Sequence, residues 1–179
     1  MYQLHYDVFK QHYGDKLSLV YTDIDSFIYH INTDDLHLDF QHFADIMDFC
    51  DYPEDHFLHS EANKKVLGKL KDEMNGQFIK EVVAIKSKVY CIDSAQGEKK
   101  TAKGVQRAVI KNELDKELYL KCLYQHDVVS NTMRRIESRE HKLMAIQQKK
   151  ISLSPLDDKR YSLDAVNTLA FGHCKIREK

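Results

Sequence analysis

Long apolar runs are missing from this 179-residue chain, and that absence excludes a membrane-spanning helix, which needs about 20 consecutive apolar residues. The N-terminus, Met1-Tyr2-Gln3-Leu4-His5-Tyr6-Asp7, lacks the basic-then-apolar pattern of a secretory signal, so an intracellular location is expected. Cysteine is sparse. Cys50, Cys91, Cys122 and Cys174 are scattered with no close pair, which argues against a zinc ribbon or a disulfide framework and leaves free thiols. The histidines show no metal-ligand spacing, and neither an internal repeat nor a low-complexity tract is present. What remains is 42 % hydrophobic content, enough to bury a core in one or two compact units.

The net charge of −1 conceals an asymmetry. Residues 1–62 carry two lysines against thirteen acids, whereas residues 63–179 carry twenty-five lysines and arginines against fifteen acids. A basic portion beside an acidic one suits a protein that grips a polyanion with one part and performs ion-assisted chemistry with the other. The competing reading is that both are solvated surfaces that keep the chain soluble.

Local patterns give a coarse organisation. Leu4, Val8 and Phe9 predict a helix over residues 2–12 that stops at Gly14. Apolar, β-branched and aromatic runs at 17–21 and 27–31 predict a β-hairpin. Asp34-Asp35 offers an N-cap for an amphipathic helix running to about Asp48, which would cover that hairpin, and 49–66 reads as loop. Asn75-Gly76 predicts a second hairpin between 69–74 and 77–85. Strands are expected at 87–92 and 99–105, and a helix over 113–124, after which the chain turns basic and extended. A boundary falls between about 104 and 113.

The crest of the first hairpin carries Tyr21-Thr22-Asp23-Ile24-Asp25-Ser26, with two aspartates one residue apart. Wherever strand geometry persists, Asp23 and Asp25 point to the same side and Ile24 to the other. Mg²⁺ is held by one or two carboxylates plus water and substrate phosphates, so this tip is a candidate phosphoryl-transfer site. The competing reading is structural, since aspartate is common in turns because it bonds its own backbone.

The order aromatic, x, Asp, x, Asp, Ser between two apolar strands resembles motif C of family B DNA polymerases, with Ile24 where the family usually has threonine. Three further blocks follow in the family order. These are Asn63 to Glu73, similar to the strand entry after motif C; Lys88-Val89-Tyr90, similar to the Lys-x-Tyr motif; and the paired runs Lys99 to Val105 and Ile151 to Tyr161. Together they resemble the stretch from palm into thumb of the protein-primed family B polymerases of Polinton, or Maverick, type elements and related viruses.

The resemblance implies an α+β fold: an antiparallel-sheet portion of a polymerase palm with covering helices over 1–108, then a smaller helix-plus-β thumb over 109–179. It implies that Asp25 ligates catalytic Mg²⁺ in a two-metal site, with Asp23 assisting, for nucleotidyl transfer from a dNTP to a primer 3′ hydroxyl. Lys88 and Tyr90, two apart on one strand face, would hold the primer end. Lys99, Lys100 and Lys103 would neutralise phosphates, with Gly104 allowing close approach of the backbone. Arg134 and Arg135, with Arg139, Lys142, Lys149 and Lys150, fit a thumb that clasps duplex, and Lys159 and Arg160 belong to the last run that carries the resemblance. Expected partners are primer–template DNA, dNTP and a terminal protein or further polymerase domains, with no membrane. A nuclear or viral-replication site follows if a host-carried element encodes the chain.

Motifs A and B and the exonuclease motifs of that family do not occur in this sequence. The expectation is therefore a fragment that carries one side of a two-metal site and does not polymerise DNA unaided. Two other classes stay open: a non-catalytic DNA-binding remnant of a mobile element, and a protein-interaction domain.

Overall fold

A computed structural model describes residues 1–156, 160–164 and 167–176. The chain forms two compact units, one of residues 1–81 with 93–97 and the other of 82–92 with 98–179. The split expected at 108 and 109 was one of role, palm against thumb; this one is drawn by contacts. Among the described residues no helix is long and apolar enough to cross a membrane, and all four cysteines are free thiols.

The first unit starts with a π-helical segment, Leu4–Phe9, that runs into α1 (Lys10–Tyr13). Gly14, at φ +56° and ψ −126°, ends the helix where the sequence placed the stop. Two strands follow, β1 (Leu17–Asp23) and β2 (Ser26–Ile31), paired antiparallel from Leu17 opposite Ile31 to Asp23 opposite Ser26, with the register shifting between Leu19 and Tyr21. The shift is a bulge, which bends and twists the ribbon.

The next helix is shorter than its apolar pattern predicts. Asp35 caps α2 (Leu36–Gln41) by accepting from the N–H groups of His37 and Leu38 at 2.9 and 3.1 Å. The helix ends at Gln41 rather than near Asp48: the backbone tightens into i→i+3 turns, with Phe43 N–H donating to the Phe40 carbonyl at 3.0 Å and Ala44 N–H to that of Gln41 at 3.3 Å, and the Asn63 side-chain amide then holds the turned segment by donating to the Ala44 and Met47 carbonyls at 2.8 Å. The chain then turns, and β3 (Met47–Asp48) pairs parallel with β4 (Leu70–Lys71). Phe43, Met47, Phe49, Tyr52 and Leu58 close the core with Phe9, Tyr13 and Leu17, so the loop expected at 49–66 is well anchored.

Asn75-Gly76 does not join two paired strands, which corrects the expected second hairpin. The Asp72 carboxylate accepts from Met74 N–H at 2.9 Å, Gly76 N–H at 2.8 Å and the Tyr52 hydroxyl at 2.7 Å, so the turn closes on a side chain. Gly76 is required there twice over, by φ +80° and by the Tyr52 ring, 3.0 Å from where a Cβ would lie.

A three-stranded sheet ordered β5-β6-β7 comes next: β5 (Ile79–Lys86), β6 (Val89–Ser94) and β7 (Gly97–Ala102). Two-residue links permit only antiparallel neighbours. The second unit continues with α3 (Arg107–Glu113), which lies where the sequence pattern offered only a boundary, and α4 (Lys116–Tyr124), capped by Asp115 onto Leu118 N–H at 2.9 Å. Its core gathers Val83, Val89, Cys91, Ala102, Leu114, Tyr119, Cys122 and Leu153. The buried Tyr119 hydroxyl is satisfied by the Thr101 carbonyl at 3.1 Å.

The basic, extended stretch after Gln125 is a long antiparallel ribbon, β8 (Val129–Arg139) and β9 (Lys142–Leu153), closed by Glu140-His141, both at positive φ as a tight hairpin turn demands. A small hairpin, β10 (Arg160–Ser162) and β11 (Thr168–Ala170), follows. The architecture is thus mixed α and β with small, mostly antiparallel sheets.

Asp48 generates a test of this packing. Burial pushes its pKa up, but bonds accepted from Cys50 and Lys65 N–H, at 3.0 and 3.2 Å, and the Lys71 charge bring it net below the usual aspartate value. A carboxylate whose folded pKa is depressed contributes stability at pH above its unfolded value, about 3.9, and loses it as pH falls through the folded value. Urea unfolding from pH 6 down to pH 3 should therefore show a steeper stability loss in the native chain than in Asp48→Asn. Parallel profiles would contradict the assignment.

Candidate functional site

The candidate metal ligands sit where backbone geometry changes. Strand pairing runs up to Asp23, opposite Ser26, and Ile24-Asp25 form the two-residue turn between them. The same-side alternation expected of Asp23 and Asp25 therefore stops one residue short: Asp23 ends a strand and Asp25 belongs to the turn. The two carboxylates still share one hairpin tip, Asp23 half-buried and Asp25 exposed. Ser26 Oγ donates to the Asp23 carbonyl and Thr22 Oγ1 to the Ser26 carbonyl, both at 3.2 Å, and these bonds brace the backbone of the turn.

Among the described residues no group of three or more His, Cys, Asp or Glu is gathered for a metal, so the donor set is the pair itself. It fits Mg²⁺ chemically. Two hard anionic oxygen donors belong to one hairpin tip, Asp25 exposed and Asp23 half-buried, and Mg²⁺ keeps several waters and takes phosphate oxygens for the rest of its shell. Ile24 at the turn is 81 % exposed, so its side chain fills no core position that threonine would leave empty.

The Lys-x-Tyr motif is arranged differently from its spacing. Lys88 is not on a strand: it lies in the Ser87-Lys88 turn between β5 and β6 at φ +61°, while Tyr90 is the second residue of β6. The shared strand face expected for the two is thereby corrected, since a turn breaks the alternation that would align them. The turn instead meets the basic run, because the Lys88 carbonyl accepts from Lys103 N–H at 3.0 Å.

The remaining cations differ in their surroundings. Lys100 donates to the Leu114 carbonyl at 2.6 Å and pairs with Glu98 at 3.4 Å, so its ammonium is engaged within the protein. Lys99 lies exposed on β7 and Lys103 is exposed in the turn after it. The close approach that Gly104 permits is to Lys150: a Cβ there would stand 2.9 Å from Lys150 Nζ, which donates to the Gly104 carbonyl. Arg160 is occupied by Thr168, bonding its Oγ1 at 2.7 Å and its carbonyl at 3.2 Å. Lys159 lies outside the described residues.

Arg134 and Arg135, equivalent in sequence, face opposite ways on β8. Arg135 and Arg139 both bond Glu137, at 2.6 and 2.7 Å, and the Arg139 guanidinium holds the Glu137 carboxyl below its usual range. Sequence reasoning missed Glu137 as the residue that consumes these two charges, although its position at i+2 from Arg135 and i−2 from Arg139 on a strand was legible.

Ile24 is a β-branched residue at φ +22°, a backbone region that disfavours branched side chains. Ile24→Gly should raise hairpin stability by about 1 kcal/mol in denaturant unfolding, while Ile24→Thr should be near neutral. A destabilising glycine would show that Ile24 packs against something in solution. Compared with protein-family models, with curated proteins and with solved structures, the chain matches none, so its own geometry and motifs carry the functional argument.

Proposed function

We propose that this chain is the palm-and-thumb portion of a protein-primed family B DNA polymerase, acting in replication by two-metal nucleotidyl transfer. The observation that carries the reading is the hairpin tip: Asp23 and Asp25 sit together at the end of paired strands, in the order Tyr-x-Asp-x-Asp-Ser. Asp25, in the exposed turn, would be the principal ligand of Mg²⁺, with Asp23 as the second. The metal supplies charge neutralisation at the transferring phosphoryl group and activation of the primer oxygen.

The other residues act by positioning. Lys103 and Arg134 offer exposed cations to backbone phosphates, contacts that fix register without reading sequence. Tyr90, with an apolar ring and a hydroxyl, suits the sugar of the primer end. Lys100, Arg135 and Arg160 drop to a supporting role, because each holds protein groups in place. One side of the metal site is encoded here, and a motif A aspartate and motif B lysine must come from other polypeptide.

The second reading, a non-catalytic nucleic-acid-binding remnant, draws on the β8–β9 ribbon alone, which carries exposed cations independent of the hairpin tip. A chimera separates the two. The chain, placed in a family B polymerase in place of the corresponding palm and thumb, should support primer extension in Mg²⁺. Asp25→Asn in that chimera should abolish extension while primer–template binding stays within about threefold. Extension that survives Asp25→Asn would sink the catalytic assignment and leave the remnant reading. The purified chain by itself should incorporate no dNTP.

A further inference from the structure

The β8–β9 ribbon has two unlike faces, and strand alternation with the observed register separates them. One face, holding Asn131, Met133, Arg135 and Glu137 with Lys150, Gln148, Ile146 and Met144 opposite, carries the ribbon's bonds to the rest of its unit and its own ion pair. Met133 is buried, Asn131 Nδ2 donates to Glu113 at 2.7 Å, Lys150 donates to the Gly104 carbonyl, and Arg135 is paired with Glu137. The other face holds Thr132, Arg134, Ile136 and Ser138 opposite Lys149, Gln147, Ala145 and Leu143, and every one of these is exposed.

That outer face has an order along its length. Arg134 and Lys149 stand midway, and among the described residues no carboxylate pairs with either. Thr132 and Gln147 lie beside them as hydrogen-bonding groups. At the far end Ile136 and Leu143 are 77 % and 79 % exposed, with Ala145 between them on the same face. The ribbon's acids do not oppose an anion here: Glu137 is on the inner face between two arginines, and Glu140 lies in the end turn between Arg139 and His141-Lys142.

We propose that the outer face of this ribbon enters a groove of duplex DNA, with Arg134 and Lys149 on the flanking phosphates and the Ile136–Leu143 tip against the base edges. Charge complementarity selects a polyanion. Shape selects a duplex: paired strands lie about 4.8 Å apart, so a two-stranded ribbon with its side chains fits a major groove about 12 Å wide. Apolar side chains at a groove-inserted tip gain contact with thymine methyls and base edges, which a purely phosphate-bound surface forgoes. A lipid surface is the poorer match, since the ribbon carries no Phe, Tyr or Trp, and Thr132 and Gln147 stand opposite the cations and Ser138 opposite Leu143, so no continuous apolar stripe forms. The inference rests on the duplex-gripping part of the polymerase reading but needs no metal and no catalysis, so each fails in its own assay.

The test is equilibrium binding of the full chain to a fluorescent duplex of about 20 base pairs over a salt series, without Mg²⁺ or dNTP, alongside vesicles of one-third anionic lipid. Arg134→Gln with Lys149→Gln should reduce the log–log salt slope by about two, since each phosphate contact contributes about 0.9. Ile136→Ser with Leu143→Ser should weaken binding about tenfold with the slope unchanged. Arg135→Gln, on the inner face, should change affinity less than twofold. All but Arg135 are exposed positions on one face, and circular dichroism confirms folding of each variant. No duplex binding by the native chain at low salt, equal losses from both faces, or tighter binding to vesicles than to duplex would each overturn the proposal.

Discussion

Two-stranded β-ribbons are marginal in water unless something packs against them, and the hairpin that carries Asp23 and Asp25 depends on an aromatic layer for that. Tyr29 on β2 lies 5.5 Å, centroid to centroid, from Phe9, and Phe9 lies 5.1 Å from Phe43, while Phe27 stands 5.1 Å from Tyr29 on the ribbon itself. The His5 ring stacks on Tyr29, and its Nδ1 is 2.9 Å from the Tyr29 hydroxyl. Burial pushes the Tyr29 hydroxyl up to about 12. Loss of a core aromatic such as Phe9 costs about 3 to 5 kcal/mol, a large share of the 5 to 15 kcal/mol that holds a domain folded. The acidic tip is placed by this layer: one end of the ribbon is clamped and the other stands in solvent.

The second unit applies the same physics to cations. The base of the β8–β9 ribbon is fixed by Leu153 and Met133 in the core and by polar bonds to Glu113 and Gly104, and its outer half projects. Internal ion pairs then decide which charges remain for a ligand. Glu137 consumes Arg135 and Arg139, and exposed pairs of this kind contribute little to stability, so their main consequence is to withdraw two of the ribbon's charges, whereas among the described residues no carboxylate pairs with Arg134 or Lys149. A net charge of +10 over residues 63–179 overstates what a polyanion meets.

Period-two patterns were the legible part of this sequence. The hairpin at 17–31, the strands after 79 and the extended basic tail follow from alternation and from apolar runs of strand length, and Gly14 marks its helix end. Legibility failed where a distant side chain outcompeted a local pattern. Asn63 anchors the turned segment after α2 through the Ala44 and Met47 carbonyls, Asp72 with Tyr52 turns Asn75-Gly76 into a side-chain-closed turn, and the parallel pairing of β3 with β4 spans over twenty residues. Within the candidate site, residue types and order were readable, but orientation was not. Lys88 falls in a turn rather than on a strand, and neighbouring arginines part to opposite faces, because a single turn or a single register choice reassigns every side chain beyond it.

The account stands on the claim that the aspartates of the β1–β2 tip together hold a divalent cation. Paramagnetic Mn²⁺, titrated into the isotope-labelled chain while amide resonances are recorded, reports this directly. The account predicts selective broadening of the amides of residues 22–26, reversed by excess Mg²⁺ and lost in Asp25→Asn. Broadening spread evenly over the acids of residues 1–62, or unchanged in Asp25→Asn, would contradict it.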